Sequence, residues 1–457
     1  MRECSVLAWA ASGGMALTGA ADGPPVVSPA GAFGLAGEIT GQLAATTREV
    51  GAEVRADPAE LIAGRAALMG LTRNGQTSAG GSSRLLRAAD GWCAVTLSRA
   101  DDVAAVPAIL GILGDSGRLA DDAPGVSGAL RDDSEGAGPQ AWAALERAAL
   151  ATSAAGIADA AQLLGVPGSA LPGKPAVGAR WPLWRRARVA EPDPRARLAG
   201  AMVVDLSSMW AGPLCARLLG LAGARVVKVE SASRPDGARA GNRDFYHWLH
   251  AGHGCVAVDF RSQRDVLRAL LATADVVIEA SRPRALANLG LAPEGSHHKR
   301  GQVWLSITGY GRAEPDRVAF GDDAAVAGGL VGWPAGTAGG TGGTADGPVF
   351  CADAVADPLT GVCGALAVAQ SIAEGGGHLI DLPLRSVAAA FAAAPEPGHG
   401  PHDVRPDGTV YCPEAGRAQD ILPPRPPVPP GRAAAELGAD TEAVLSWLAS
   451  ASRGPSC

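Results

Sequence analysis

From about residue 200 onward, short runs of consecutive apolar residues alternate with segments of helical period. Residues 201–207 (AMVVDLS), 225–230 (RVVKVE), 256–260 (VAVDF), 275–280 (DVVIEA) and 303–311 (VWLSITGYG) read as strands buried on both faces. Between them, 212–224, 263–273 and a short segment opened by Pro283 read as helices. A Gly-rich stretch (327–347), a helix opened by Pro358, a strand at 378–382 and an Ala-rich helix over 384–394 complete the series. This alternation predicts an α/β fold with a Rossmann-like, doubly wound, mostly parallel sheet.

Earlier in the chain the pattern is quieter. Helices are predicted near 33–47, 57–69, 102–113 and 138–152, and 85–97 reads as a hairpin turning at Asp90 and Gly91, which adds a smaller α+β domain. Pro-rich stretches suggest a linker at 172–197 and an extended connector at 395–431, with an amphipathic helix closing the chain within 432–457. The expected organisation is therefore 1–171, 172–197, 198–394, 395–431 and 432–457.

Residues 9–41 and 324–361 share one pattern: a small-residue helix ending in Gly-Gly, a Thr-Gly loop, Asp-Gly-Pro, and a second Thr-Gly at a helix start. Aligning the second Thr-Gly pairs sets Gly37 opposite Asp357, so only the later copy keeps a carboxylate. The repeat also accounts for the apolar N-terminus better than a secretory signal does, and it marks 1–171 as a partial, degenerate copy.

Charge removes several function classes. The 39 Lys and Arg against 46 Asp and Glu give a net charge of −7, and no basic cluster is interleaved with aromatics, so nucleic acid and anionic membrane are poor partners. No apolar run reaches the ~18–20 residues of a membrane span. The eight cysteines are scattered without a CxxC, as in a reducing, cytoplasmic compartment.

Asp357 stands directly before Pro358, the pattern of a helix N-cap, and the same positive helix end would keep a nucleophilic carboxylate ionised. Asp322 and Asp323 also read as caps, for the helix from 324. His247, His250 and His253 form HxxHxxH, but with no HExxH and a helix-breaking GHGC the reading is a polar helix end, and no metal site is expected. The first βα turn lacks GxGxxG, which argues against a dinucleotide.

The segments 198–231, 274–291, 306–311 (SITGYG) and 355–361 (VADPLTG), in this order, resemble CoA-transferase family III, the group of formyl-CoA and carnitine CoA-transferases. Residues 432–448 are similar to that family's closing segment. NGQTSAGGSSRLL (74–86), 90–102 and LGVP (164–167) resemble its glycine loop, small-domain hairpin and small-domain turn. In the family these follow the catalytic Asp; here they precede it, as in a tandem or permuted arrangement.

The resemblance implies that Asp357 attacks an acyl-CoA thioester and becomes an aspartyl-CoA thioester, from which CoA passes to a carboxylic acid. Coenzyme A is then a substrate, and no cofactor is permanently bound. Gly80 and Gly81 would approach the oxyanion, and Asp322 or Asp323 would be a second acid. Trp210, Ala211 and Gly212 would lie beside the pantetheine and reacting carbonyl. CoA contacts would fall to Arg225, Lys228, Arg234 and His253, with His253 and Gly254 standing where relatives carry two cations. A homodimer, or one chain imitating a dimer, would complete the site. Two other readings are a 2-methylacyl-CoA racemase-like isomerase, against which no His adjoins Asp322 and Asp323, and a non-catalytic acyl-CoA-binding or scaffold protein.

Overall fold

The computed structural model describes residues 4–115, 137–173, 183–334, 347–395 and 401–451. Parts of the expected linker, the Gly-rich stretch and the connector, with Met1 and Cys457, lie outside these residues. The chain opens with α1 (Ser5–Ala11), α2 (Ala30–Val50) and α3 (Pro58–Met69). Asp57 caps α3 by accepting from Ala59 N–H, Pro58 occupies its first turn, and left-handed Gly70 ends it.

A small α+β unit follows. Strands β1 (Ser83–Ala88) and β2 (Gly91–Thr96) form the expected hairpin, with Ala88 opposite Gly91. Helices α4 (Ala100–Ala104), α5 (Val106–Asp115), α6 (Ala137–Leu150) and α7 (Ala154–Leu163) follow, and β3 (Gly168–Ala170) pairs with β2. Val95, Ile109, Leu145 and Ile157 belong to a core of its own.

The larger unit runs β4 (Arg185–Arg188), β5 (Met202–Asp205), α8 (Ala211–Leu221), β6 (Arg225–Ser231), α9 (Arg243–His250), β7 (Gly254–Val258), α10 (Arg264–Thr273), β8 (Val276–Glu279), α11 (Pro283–Asn288) and β9 (Val303–Thr308). It continues with α12 (Gly321–Ala327), a ribbon of β10 (Val331–Gly332) and β11 (Val349–Phe350), α13 (Ala356–Ala373), β12 (His378–Pro383) and α14 (Leu384–Ala392). One seven-stranded sheet has the order β4-β12-β9-β8-β5-β6-β7. Every pairing in it is parallel except that of β4 with β12. Both faces are covered, which is why the strands read as unbroken apolar runs. Val276, Ile278, Leu305 and Ile380 pack in one core with α8 and α13, while Val277, Trp304 and Leu379 alternate to the other face with Leu267 and Leu270 of α10.

The chain winds from β5 outward through β6 and β7, then returns to β8 and winds the other way. The gap between β5 and β8 is thus the topological switch point, and the crevice above their carboxyl ends is where open α/β sheets take ligands.

Three expectations about organisation are redrawn. Residues 4–69 do not stand with the small unit: α13 is apolar on almost every side, so it needs cover beyond the sheet, and α2 provides it in the same core. The two repeat segments thus pack on each other. Within the expected linker, β4 joins the large sheet as its antiparallel edge. The expected connector contains β13 (Asp403–Val404), β14 (Thr409–Cys412) and β15 (Arg417–Asp420), a meander whose Val410 and Cys412 are fully buried against the main core. Its alternation is too short to stand out beside so much Pro and Gly. The closing helix is α15 (Thr441–Ala451). Among the described residues, no helix is long and apolar enough to cross a membrane.

Candidate active site

Four aspartates gather where α12, α13 and the intervening loop meet. Asp322 and Asp323 lie in the first turn of α12; Asp353 precedes α13; Asp357 is the second residue of α13, whose N-cap is Val355. Asp357 is therefore inside the helix rather than its cap. Asp322, Asp323 and Asp353 are buried, while Asp357 is only half-buried.

Among the described residues, one cation reaches the group. Arg65, on α3, donates through Nη1 to both oxygens of Asp353 at 2.7 Å. Its guanidinium also lies over the rings of Trp210, at 5.2 Å, and Phe245, at 5.4 Å. Burial raises the Asp353 carboxyl, and Arg65 opposes that shift. Asp357 is pushed up to about 7, chiefly by burial and further by Asp322 and Asp353, against the pull of Arg65 and a hydrogen bond from the Gly321 N–H. Burial and Asp353 bring Asp322 to about 6, and burial, with Asp322 adding, brings Asp323 to about 8. Carboxyls this close cannot all ionise, so protons are shared across the cluster.

The small unit closes over it. Ser83 Oγ donates to Asp322 Oδ2 at 3.1 Å, and Ser78 bonds the same carboxyl. The Ala354 N–H donates to Asp322 Oδ1 at 3.0 Å. Asp323 Oδ1 accepts from the Phe320 N–H at 2.9 Å, capping α12 from its third residue, and from Thr96 Oγ1 at 3.3 Å. Gly80 and Gly81 form the exposed tip of the turn between Ser78 and Ser83, with Gly81 at φ +81°. Anchoring both ends of that turn on Asp322 hangs the glycine loop at the aspartate cluster.

Backbone constraints mark the same place. Ala352 (φ +52°) and Ala354 (φ +40°) flank Asp353, and Met209 (φ +72°) precedes Trp210, each left-handed without being Gly, at a cost of about 1–3 kcal/mol apiece. A Cβ on Gly321 would sit 2.6 Å from Asp357 Oδ2, so Gly keeps that approach open. Trp210 caps α8 and stands edge-on to Phe245 at 5.5 Å. Ala211 O would lie 2.8 Å from a Cβ on Gly361, and Ser207 leaves no space for a Cβ on Gly212; these close approaches seat α13 on α8 and set Trp210 at the switch point.

The expected CoA contacts divide. Arg234 follows the carboxyl end of β6 and is exposed, on the crevice side. Arg225 begins β6 and so lies at the opposite end of the sheet. Lys228 is buried, its Nζ 2.8 Å from Asp236 and 3.9 Å from Asp205. Burial alone would lower its pKa, but these two carboxylates raise it. Asp236 in turn accepts from the Met209 N–H at 3.0 Å, so Lys228 braces the turn before Trp210. His253 is buried against α8, and burial, with Lys228 and Arg217, lowers it to about 3, leaving it neutral. His250 stacks on Tyr246, and His247 turns to Arg243 and Ala434, so the three imidazoles do not converge on one point.

Sequence reasoning missed Arg65 and Asp353, and it missed a cationic group around Arg282. Burial and the charges of Arg284, Arg99 and Arg234 together lower the Arg282 pKa. Arg282 caps α11 directly after β8, and its guanidinium reaches Gly165 in the turn of the small unit. Arg65 had one legible signal: it is a lone charge in the apolar helix LIAGRAALM.

Residues 198–405 match the model of CoA-transferase family III. A succinate–glutarate CoA-transferase of Agrobacterium fabrum is 30% identical over 44% of this chain and 54% of its own length. The beta subunit of a succinyl-CoA–L-malate CoA-transferase of Chloroflexus aurantiacus is 33% identical over 41% of this chain and 49% of its own. The chain thus spans about half the length of these curated relatives. Among solved structures, a CAIB/BAIF family protein of Brucella suis is 27% identical over 44% of this chain and 55% of its own, with a TM-score of 0.35.

Proposed function

We propose that the protein moves CoA from an acyl-CoA donor to a carboxylic acid acceptor through an aspartyl-CoA thioester on Asp357, a reading supported by the match of residues 198–405 to the model of CoA-transferase family III. The observation that carries this reading is that Asp357, alone of the four clustered aspartates, is only half-buried, while a backbone N–H and Arg65 partly offset the rise that burial imposes on its pKa.

In the reaction, an Asp357 oxygen attacks the thioester carbonyl and expels CoA thiolate, giving a mixed anhydride. The thiolate then attacks the Asp357 carbonyl and releases the donor acid, leaving the aspartyl thioester. An acceptor carboxylate attacks that thioester, and the returning thiolate takes the new acyl group and frees Asp357. The Gly80 N–H serves the tetrahedral oxyanions, whereas the Gly81 N–H, expected to join it, is committed to Ser78 O at 2.8 Å and closes the turn instead. Arg65 pairs with Asp353 and limits the rise of both Asp353 and Asp357. CoA phosphates meet Arg234 and Arg282 above the switch point, with Arg99 and Arg284 adding positive field. Arg65, Ser78, Ser83 and Thr96 reach the site from the first 100 residues of the same chain. Trp210 narrows the acyl site, and the name of the Chloroflexus aurantiacus relative makes succinyl-CoA the first donor to try.

Incubation with a panel of acyl-CoAs, trapping with hydroxylamine and peptide mass spectrometry test this. A hydroxamate on Asp357, absent in Asp357→Ala, is the expected result. CoA binding without that adduct would favour the racemase-like or binding-protein readings.

A further inference from the structure

Away from the aspartate cluster, three side chains that the proposed reaction does not use come together. Cys4 precedes α1, His402 precedes β13, and Cys412 ends β14. One ligand atom from each lies within 4.8 Å of the other two, and Cys4 Sγ is 3.1 Å from His402 Nε2 across 398 residues of sequence. Both cysteines are buried, and His402 is half-buried on the open side. Backbone N–H groups point at both sulfurs, those of Leu7 and Val6 at Cys4 and that of Ala415 at Cys412, at 3.4 Å.

We propose that Cys4, His402 and Cys412 form a zinc site, with a fourth, exogenous ligand on the exposed side. Zn–S bonds of about 2.3 Å and Zn–N bonds of about 2.0–2.1 Å place tetrahedral ligand atoms roughly 3.5–3.8 Å apart, which the present spacing reaches by shifts of about 1 Å or less. Two thiolates and an imidazole select zinc over the hard cations magnesium and calcium, which take oxygen ligands. The imidazole beside the Cys4 sulfur also distinguishes the cluster from a simple pair of thiols ready to form a disulfide. Bound there, zinc clamps α1 to the meander it already packs on, where the Leu422 N–H donates to Ala10 O at 2.9 Å. The sequence pattern gave no hint of such a site, because no short spacing links Cys4 to the other two residues.

Metal analysis of the full-length protein, purified with zinc and then dialysed, tests the proposal. About one zinc per chain is expected, together with a thiolate-to-metal charge-transfer band when cobalt(II) replaces it, and with loss of both in Cys412→Ser and His402→Ala. Folded wild-type protein that retains no zinc and shows no cobalt–thiolate band would overturn the site, whether or not the variants fold. So would zinc retained in both variants, or a Cys4–Cys412 disulfide in a non-reducing peptide map.

Discussion

Arg65 Nη1 lies 2.7 Å from both carboxylate oxygens of Asp353, a residue 288 positions later in the chain. The pair joins α3 to the loop ahead of α13 and brings the cluster's nearby positive charge to within electrostatic reach of Asp357. Arg65→Met leaves Asp353 buried without that partner, at a cost of about 3–5 kcal/mol. It also removes what opposes the rise of Asp357. Thermal unfolding should fall by several degrees, and the rising limb of the pH–rate profile should move to higher pH.

Asp357→Asn removes the nucleophile and, with it, a carboxyl whose charged form the fold disfavours. Transfer activity is expected to drop by at least about 10³-fold. The melting temperature at pH 8 should be unchanged or higher, because an acid held near 7 in the folded state and near 4 when unfolded destabilises the fold once it ionises. A large loss of stability in this variant would assign Asp357 a structural role instead.

The pH dependence has a definite sign. Burial pushes Asp322, Asp323 and Asp357 up to about 6, 8 and 7 in the folded state, all above the ordinary aspartate range near 4. Between pH 4 and these values the folded state binds more protons than the unfolded state, so this cluster's contribution to stability declines as pH rises. Each carboxyl that stays protonated contributes a slope of about −1.4 kcal/mol per pH unit. Denaturant titrations from pH 5 to 8 should show a shallower decline in Asp323→Asn than in the parent. Activity runs the other way, rising through about pH 7 as Asp357 ionises.

Arg282→Ala tests the crevice above the switch point. Losing a charge-assisted phosphate contact should raise KM for acyl-CoA by about tenfold with little change in kcat, and the effect should shrink as salt increases. Arg225→Ala, at the other end of the sheet, should leave KM unaltered. Equal effects from the two variants would place CoA elsewhere.

The sequence determined the larger unit almost strand by strand. Buried parallel strands carry unbroken apolar runs, so AMVVDLS, DVVIEA and VWLSITGYG were legible without neighbours. It likewise singled out Asp357, because one carboxylate stands in a repeat whose other copy has Gly37 there. Only tertiary structure decided what surrounds that carboxylate. Arg65, Ser83 and Asp353 are distant in sequence, and each has an ordinary local reading on its own helix, strand or loop. Lys228 and His253 show the converse: both looked available for phosphate, yet local pattern does not say which distant groups a polar side chain will meet, and the fold withdrew one into an ion pair and left the other neutral. Cys4 and Cys412 belong with these, since a ligand set assembled from the two ends of a chain has no spacing to read. Local periodicity fixes secondary structure, but charge state depends on which distant segments share a desolvated space, and that is settled only when the chain closes on itself.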